Sequence, residues 1–255
     1  MPAKKNLFKS ALSNGDMQYG CWGCFADPFA MEILGTAGFD WIVIDGEHAP
    51  NDIRSIMFQL QALEGSDSHP VVRVPIGEDW IIKQVLDAGA QTVLVPMVET
   101  AEQARHLVRA MRYPPEGIRG VGATAARASR FGEIKDYVQT ANQEICLIVQ
   151  VENRKGVENL DEILTVEGVD GVFIGPADLA ADLGHPGNAA HEDVRAVIRK
   201  CLETIAESDK AAGILSPVDE VAAEYRDWGA QFLAVGLDVV MFAQAARAKV
   251  AKWKG

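Results

Sequence analysis

Residues 41–63, WIVIDGEHAPNDIRSIMFQLQAL, decide the fold, because they join a short strand to an amphipathic helix. The run at 41–45 begins with four consecutive apolar residues, as expected of a strand buried on both faces of a parallel sheet. The segment at 53–63 carries apolar residues at helical spacing. The stretch is therefore one βα unit of an α/β fold.

The same unit recurs along the whole chain. Predicted strands cover residues 19–22, 41–45, 71–74, 92–96, 146–151, 171–174, 213–215 and 232–236. Predicted helices cover residues 28–37, 53–63, 80–88, 101–111, 157–166, 194–208, 220–228 and 239–253. Eight strands alternating with eight helices predict a (β/α)8 TIM barrel. Because the sequence shows no linker, we expect residues 1–255 to form a single domain.

A doubly wound open sheet is the competing architecture. Such a fold places a glycine-rich phosphate turn after its first strand. The first predicted strand is instead followed by CWGCFADP, which lacks the G-x-G-x-x-G spacing. The barrel is therefore favoured, and its carboxyl-terminal strand ends are where functional residues are expected.

Charge and composition exclude several classes of partner. The chain has 24 Lys and Arg against 36 Asp and Glu, a formal net charge of −12. Nucleic acids and anionic membranes both select basic surfaces, so neither is expected as a partner. The sequence has no apolar run of roughly 20 residues and no signal-like amino terminus. We expect a cytoplasmic protein.

Acidic residues follow two neighbouring predicted strands. Gln150 and Glu152 lie two apart at the end of the fifth strand, and Asp178 lies in a tight turn after the sixth. Two carboxylates at one barrel edge suit a hard divalent cation such as Mg²⁺ or Mn²⁺. Taken singly, Glu152 is equally explained as a solvated strand-end charge, and Asp178 as a helix N-cap. Their proximity on adjacent strands favours a metal site.

A histidine and an arginine lie at the same predicted edge. Asp45 and His48 follow the second strand, where a carboxylate can orient an imidazole that acts as a general base. The alternative is that both residues cap the helix beginning near Asn51. Arg73 interrupts an apolar strand, so it forms a structural ion pair, binds a carboxylate or stabilises an oxyanion.

Three further arginines, Arg119, Arg127 and Arg130, lie in a loop of small residues. This loop contacts either an acidic substrate or a neighbouring subunit.

Two other chemistries are disfavoured. Cys21 and Cys24 have the C-x-x-C spacing of redox and zinc sites, but no second pair accompanies them, so we expect both thiols to pack. A Schiff-base aldolase needs a lysine on a barrel strand, and none of the predicted strands contains one.

Together these motifs resemble the HpcH/HpaI family of metal-dependent class II pyruvate aldolases. The resemblance is carried by AGFDWIVIDGEHAPND, PVVRVP, QTVLVPMVET, RYPPEGIRGVG, LIVQVEN, EGVDGVFIGPADLAADLG and GAQFLAVGLD. It covers residues 20 to about 240. It implies a barrel that exchanges a terminal helix between subunits and assembles as a hexamer.

The resemblance also implies a role for each site residue. Glu152 and Asp178 match the ligands of a divalent cation (Mg²⁺, Mn²⁺ or Co²⁺). His48 matches the catalytic base, Asp45 its partner, and Arg73 the arginine that contacts the pyruvyl oxygen. The matches to substrate-binding positions are Gln150 beside the metal, the turn Gly175, Pro176, Ala177 and Asp178 for the carboxylate, and Trp22 and Leu215 in the aldehyde pocket.

The implied reaction is aldol cleavage of a 4-hydroxy-2-oxo acid to pyruvate and an aldehyde. Family substrates include 4-hydroxy-2-oxoheptanedioate and 2-keto-3-deoxy sugar acids, and the sequence does not separate them. Two alternatives stay open: a related lyase acting on a CoA thioester, and a catalytically silent barrel that binds a keto acid.

Overall fold

Eight parallel strands close into one barrel in the computed structural model, which describes residues 2–254. Each strand pairs with the next in the sequence, and the last pairs with the first. The strands are β1 (Gln18–Gly23), β2 (Trp41–Asp45), β3 (His69–Arg73), β4 (Thr92–Val95), β5 (Cys146–Val151), β6 (Gly171–Ile174), β7 (Ala211–Leu215) and β8 (Phe232–Leu237). The predicted TIM barrel is confirmed.

Helices surround this barrel and connect its strands. They are α1 (Leu7–Asn14), α2 (Pro28–Gly35), α3 (Ile53–Ala62), α4 (Asp79–Ala88), α5 (Ala101–Met111), α6 (Tyr137–Glu144), α7 (Arg154–Glu158), α8 (Leu160–Leu164), α9 (Pro176–Asp182), α10 (Glu192–Ala206), α11 (Asp219–Asp227) and α12 (Asp238–Lys254). Two 3₁₀ turns, Ala123–Ala125 and Arg127–Ser129, lie between α5 and α6.

The helix predictions were wrong in three places. Helices α1 and α6 were not predicted, and the helix expected at 157–166 is divided into α7 and α8. Asp178 does not precede the short helix after β6, because α9 already begins at Pro176. Proline suits the first helical position, where its missing N–H costs no hydrogen bond.

Aromatic side chains fill the barrel and close its amino-terminal end. Phe8 of α1 lies 5.7 Å from Trp41, 5.5 Å from His69 and 5.9 Å from Phe232, measured between ring centroids. Mainly aliphatic side chains pack between the barrel and its helices. The candidate functional residues lie at the opposite end of the barrel, where the strands end.

The carboxyl-terminal helix α12 is barely covered by the rest of the chain. Among its described residues only Asp238 is buried, while Phe242 and Trp253 are 68% and 78% exposed. Phe242 contacts Phe25 at a centroid distance of 5.8 Å. Within residues 2–254, no helix combines the length and the apolar character needed to cross a membrane.

Candidate active site

Arg73 is the central cation at the carboxyl end of the barrel. The register of β2 and β3 places it directly opposite Asp45. Its Nε and Nη2 atoms donate to the two oxygens of Asp45 at 2.8 and 2.7 Å, and its guanidinium lies 4.9 Å above the Trp22 ring. This bidentate pair fixes the plane of the guanidinium.

The Asp45–Arg73 pair is buried and charged. Burial alone would raise the pKa of Asp45, but the hydrogen bonds and charge of Arg73 hold it below the ordinary value. Burial alone would likewise lower the pKa of Arg73, but the hydrogen bonds and charge of Asp45 outweigh this effect and raise it. Each group therefore keeps its charge because of the other.

Asp45 contacts His48 through the backbone. Its Oδ1 atom accepts the backbone N–H of His48 at 3.4 Å and that of Glu47 at 3.0 Å, while its carboxylate is held by Arg73. The Cys24 thiol also lies 3.9 Å from Oδ2. The alternative in which Asp45 and His48 cap a helix is wrong, because Asp52 caps α3.

Glu47 is the acidic group beside the His48 ring, and the sequence analysis did not single it out. Its Oε2 atom lies 3.9 Å from His48 Nε2 and 2.7 Å from Arg73 Nη1. The Nη1 contact lacks hydrogen-bond geometry, since Glu47 Oε2 has no hydrogen-bond partner within residues 2–254. The signal was present in the Asp-Gly-Glu-His order, where Glu47 directly precedes the histidine.

Glu47 and His48 have different exposures. The His48 side chain is 65% exposed, whereas that of Glu47 is 17% exposed. Burial raises the pKa of Glu47, the charges of Arg73 and His48 oppose this, and those of Asp45 and Asp178 add to it. An exposed imidazole thus stands beside a largely buried carboxylate.

Glu152 is buried beside Gln150, so its interpretation as a solvated strand-end charge is wrong. Its Oε1 atom accepts the backbone N–H of Met97 at 2.8 Å, and its Oε2 atom accepts from the Gln150 side-chain amide. Met97 adopts a left-handed backbone with φ of 55°. Strain of this kind is commonly found at functional sites.

Asp178 lies in the first turn of α9, and the N-cap position belongs to Gly175. The N-cap alternative for Asp178 is therefore also wrong. Because Pro176 has no N–H, the unpaired donors of this turn are the N–H groups of Ala177 and Asp178. These donors suit a carboxylate ligand.

The donor set around Glu152 fits a hard divalent cation. Burial raises the pKa of Glu152, hydrogen bonds from Gln150 and Met97 oppose this, and the charges of Asp178 and Glu47 add to it. Gln150 Oε1 is buried and has no partner within residues 2–254. A Cβ at Gly175 would clash with Glu152 Oε2, so glycine keeps this space open. Excess negative charge and oxygen donors are what Mg²⁺ and Mn²⁺ prefer.

The remaining predicted positions lie at or below the site. Trp22 is 3% exposed and packs 5.3 Å from Phe173 inside the barrel, beneath Arg73. Leu215 is half-buried at the end of β7 and packs against the same interior cluster.

The three loop arginines lie elsewhere. Arg119 is buried and pairs with Asp87 at 2.6 Å. Arg127 pairs with Glu64, and both Arg127 and Arg130 line a cavity of about 1010 Å³ that also contains His69, the first residue of β3. Because that cavity lies at the amino-terminal end of the barrel, Arg127 and Arg130 do not reach this chain's own site.

The C-x-x-C pair packs as expected. Cys21 is buried and Cys24 is half-buried, and the structure shows both as free thiols. Burial raises the pKa of each thiol to about 12, so both are protonated at neutral pH.

Asp238 accepts the N–H of Cys24 at 2.9 Å and of Phe25 at 3.1 Å. It links α12 to the loop after β1, a role that the sequence analysis missed.

Comparison with known proteins gives a consistent result. The sequence profile of the family "HpcH/HpaI aldolase/citrate lyase" matches residues 18–245. A hydroxypyruvate/pyruvate aldolase of Roseovarius nubinhibens is 65% identical and covers 100% of this chain and 99% of its own. A 2-keto-3-deoxy-L-rhamnonate aldolase of Salmonella gallinarum is 51% identical, covering 98% and 93%.

Solved structures agree with these sequence relatives. The crystal structure of an HpcH/HpaI aldolase/citrate lyase family protein from Burkholderia cenocepacia is 41% identical to the chain. It superposes with a TM-score of 0.95 over 98% of this chain and 100% of its own. The similarity thus extends over the whole barrel.

Proposed function

The chain belongs to the HpcH/HpaI aldolase/citrate lyase family, and on that premise we propose that it is a class II pyruvate aldolase. The reaction is the reversible cleavage of a 4-hydroxy-2-oxo acid to pyruvate and an aldehyde. One observation carries the proposal: the buried Glu152–Gln150 pair and the fixed Arg73 guanidinium lie at the same end of the barrel as the exposed His48 ring.

Glu152 and Asp178 are proposed to hold a divalent cation, Mg²⁺, Mn²⁺ or Co²⁺, with Gln150 beside it. Such a cation, when bound, polarises the keto group of the substrate as a Lewis acid. The first-turn N–H groups of Ala177 and Asp178 would bind the substrate carboxylate. These contacts orient the reacting carbon relative to His48.

His48 is proposed to move the proton. In the synthetic direction its imidazole takes a proton from the methyl group of pyruvate, the resulting enolate attacks the aldehyde carbonyl, and the C4 alkoxide takes that proton from His48. The enolate oxygen is stabilised by Arg73, whose Nη1 makes no hydrogen bond to Asp45 and contacts Glu47 without hydrogen-bond geometry. Cleavage is the reverse: His48 accepts the C4 hydroxyl proton, the C3–C4 bond breaks, and the enolate is protonated to pyruvate.

The donor is proposed to be pyruvate or hydroxypyruvate. This rests on the 65% identity, over the full chain, to a protein named hydroxypyruvate/pyruvate aldolase. The acceptors are aldehydes that give 4-hydroxy-2-oxo acids, among them 2-keto-3-deoxy sugar acids and 4-hydroxy-2-oxoheptanedioate. Trp22 and Leu215 are proposed to border the aldehyde end of the site.

A pyruvate-release assay tests the proposed function. The purified chain, supplied with Mg²⁺, Mn²⁺ or Co²⁺, is given a panel of 4-hydroxy-2-oxo acids, and pyruvate is coupled to lactate dehydrogenase. We expect release from at least one sugar-acid or heptanedioate substrate, and condensation when hydroxypyruvate and an aldehyde are supplied instead. The silent-barrel alternative is correct if no member of the panel reacts in either direction.

Glu47 is proposed as a positioning residue that stabilises the protonated His48 ring. Because its pKa is raised, it becomes neutral at a higher pH than an ordinary glutamate. Activity should then fall on acidification as Glu47 is protonated. We expect the acid limb of log(kcat/KM) to include this protonation.

Glu47→Gln removes this protonation, so we expect the slope of the acid limb to become smaller and kcat to be lowered about tenfold. The control is Glu99→Gln, since Glu99 pairs with Lys155 at 2.8 Å on the rim. An unchanged slope in Glu47→Gln would show that this carboxylate has no part in the proton transfer.

The chain is also proposed to form a homo-oligomer, with hexamer as the expected state. The exposed apolar face of α12, together with Phe29 and Ile33 of α2 at 71% and 58% exposure, supports this. Exchange of α12 between subunits would bury these side chains.

A further inference from the structure

The loop between α9 and α10 brings together two histidines and an aspartate that the proposed reaction does not use. His185, His191 and Asp193 lie within nine residues of one another in the sequence. The backbone N–H of His185 is held by the carbonyl of Ala180 in α9 at 2.8 Å, while His191 is the N-cap residue of α10. The cluster therefore spans the junction of two helices.

The three side chains are spaced as metal ligands are. Asp193 Oδ2 lies 3.3 Å from His185 Nε2 and 3.5 Å from His191 Nδ1. One ligand atom from each residue lies within 4.8 Å of the others. In a tetrahedral zinc site with bonds near 2.0–2.1 Å, neighbouring ligand atoms are about 3.4 Å apart. The spacing of the ligand atoms is therefore close to that of such a site.

The two imidazole rings stack, so ion binding requires one ring to rotate until both nitrogen lone pairs point at the ion. The His185 and His191 rings stack with centroids 3.5 Å apart and planes 16° apart. Their side chains are 25% and 32% exposed, and that of Asp193 is 68% exposed. An ion can thus enter from solvent, and water can occupy a fourth position.

Binding would displace one weak contact. His191 Nδ1 accepts the backbone N–H of Asp193 at 3.3 Å, which caps α10. A cation takes the same lone pair, and the released N–H lies at an exposed position where water replaces it. The cost is small because that hydrogen bond is long.

The ligand types separate this cluster from the proposed catalytic centre. Two imidazoles and one carboxylate favour borderline ions such as Zn²⁺, whereas the oxygen donors of Glu152 and Asp178 favour Mg²⁺ and Mn²⁺. We propose that His185, His191 and Asp193 form a second metal site, which binds Zn²⁺ and ties the start of α10 to the end of α9.

Zinc binding by the full-length chain tests this proposal. In the double variant Glu152→Gln/Asp178→Asn, which lacks the proposed catalytic ligands, equilibrium dialysis should find one Zn²⁺ per chain. Cobalt substitution should give the intense visible absorption of a tetrahedral site. Adding His185→Gln should weaken zinc binding at least tenfold, since even the loss of a group that hydrogen-bonds to a ligand costs about 10- to 100-fold.

His106→Gln in the same background is the matched control. His106 is also exposed and lies 2.7 Å from Asp79, but among residues 2–254 no third ligand accompanies that pair. It should leave zinc binding unchanged. The proposal is overturned if the double variant binds no zinc, or if His185→Gln binds as tightly as His106→Gln. Should the double variant not fold, His185→Gln in the unaltered chain is compared by the cobalt spectrum, where loss of the tetrahedral band is expected.

Discussion

Replacing Arg73 with alanine is expected to slow the exchange of pyruvate methyl protons with solvent by about 10²–10³-fold, the usual loss for an oxyanion-stabilising group. The same change leaves the buried carboxylate of Asp45 and the half-buried carboxylate of Glu47 without their counter-charge. Breaking a buried pair in this way costs about 3–5 kcal/mol of stability. Exchange is measured by NMR in D₂O with a divalent cation present, and stability by denaturant unfolding.

Arg73→Lys separates the catalytic loss from the loss of stability. Lysine keeps the positive charge beside Asp45 but cannot form the bidentate pair. We expect a variant that is folded and still slow in exchange. Arg154→Lys is the control, because Arg154 forms an exposed pair with Asp182 at 3.7 Å. Wild-type exchange in Arg73→Lys would assign Arg73 to structure alone.

Replacing His48 with alanine is expected to lower kcat about 10²–10⁴-fold, the contribution of a positioned general base. Stability should barely change, because the ring is largely exposed and pairs with Glu47 only at 3.9 Å. The measurement is pyruvate release under saturating substrate, together with the unfolding midpoint.

His106→Ala is the control for this experiment, since His106 is exposed and paired with an acid but lies outside the site. It should have normal kcat. If His48→Ala also retains nearly normal kcat, another group must remove the proton, and the mechanism proposed for His48 is wrong.

The barrel was predictable from the sequence because parallel strands buried on both faces are continuous apolar runs. The bounds of β2, β5 and β6 agree with the prediction. Helix α1 was not predictable in the same way. It is eight residues long, and its role depends on Phe8 packing against Trp41 and Phe232, which come from distant strands.

The site was predicted in part for a similar reason. Residues that follow strands must meet at one barrel edge, which identified Arg73, Gln150 and Glu152. The partner of Asp45 depends on strand register, however. Sequence spacing predicts the His48 ring as the partner of Asp45. The pairing of β2 with β3 instead places Arg73 against the Asp45 side chain, and Glu47 is the acid beside the His48 ring.

The candidate site contains more acidic groups than basic ones. Glu47, Glu152 and Asp178 interact with one another, and Arg73 is the cation set among them. Acidic groups therefore outnumber basic ones at the barrel mouth, as they do over the whole chain, whose net charge is −12. Under the proposed function this acidic mouth binds keto-acid anions, and the proposed divalent cation would reverse its sign.

Pyruvate release before and after removal of divalent cations tests this claim most directly. The full-length chain is assayed on an active 4-hydroxy-2-oxo acid, dialysed against EDTA, and assayed again before and after Mg²⁺, Mn²⁺ or Co²⁺ is restored. The account predicts that release stops in the metal-free protein and returns with the cation. Full release by rigorously metal-free protein would contradict it.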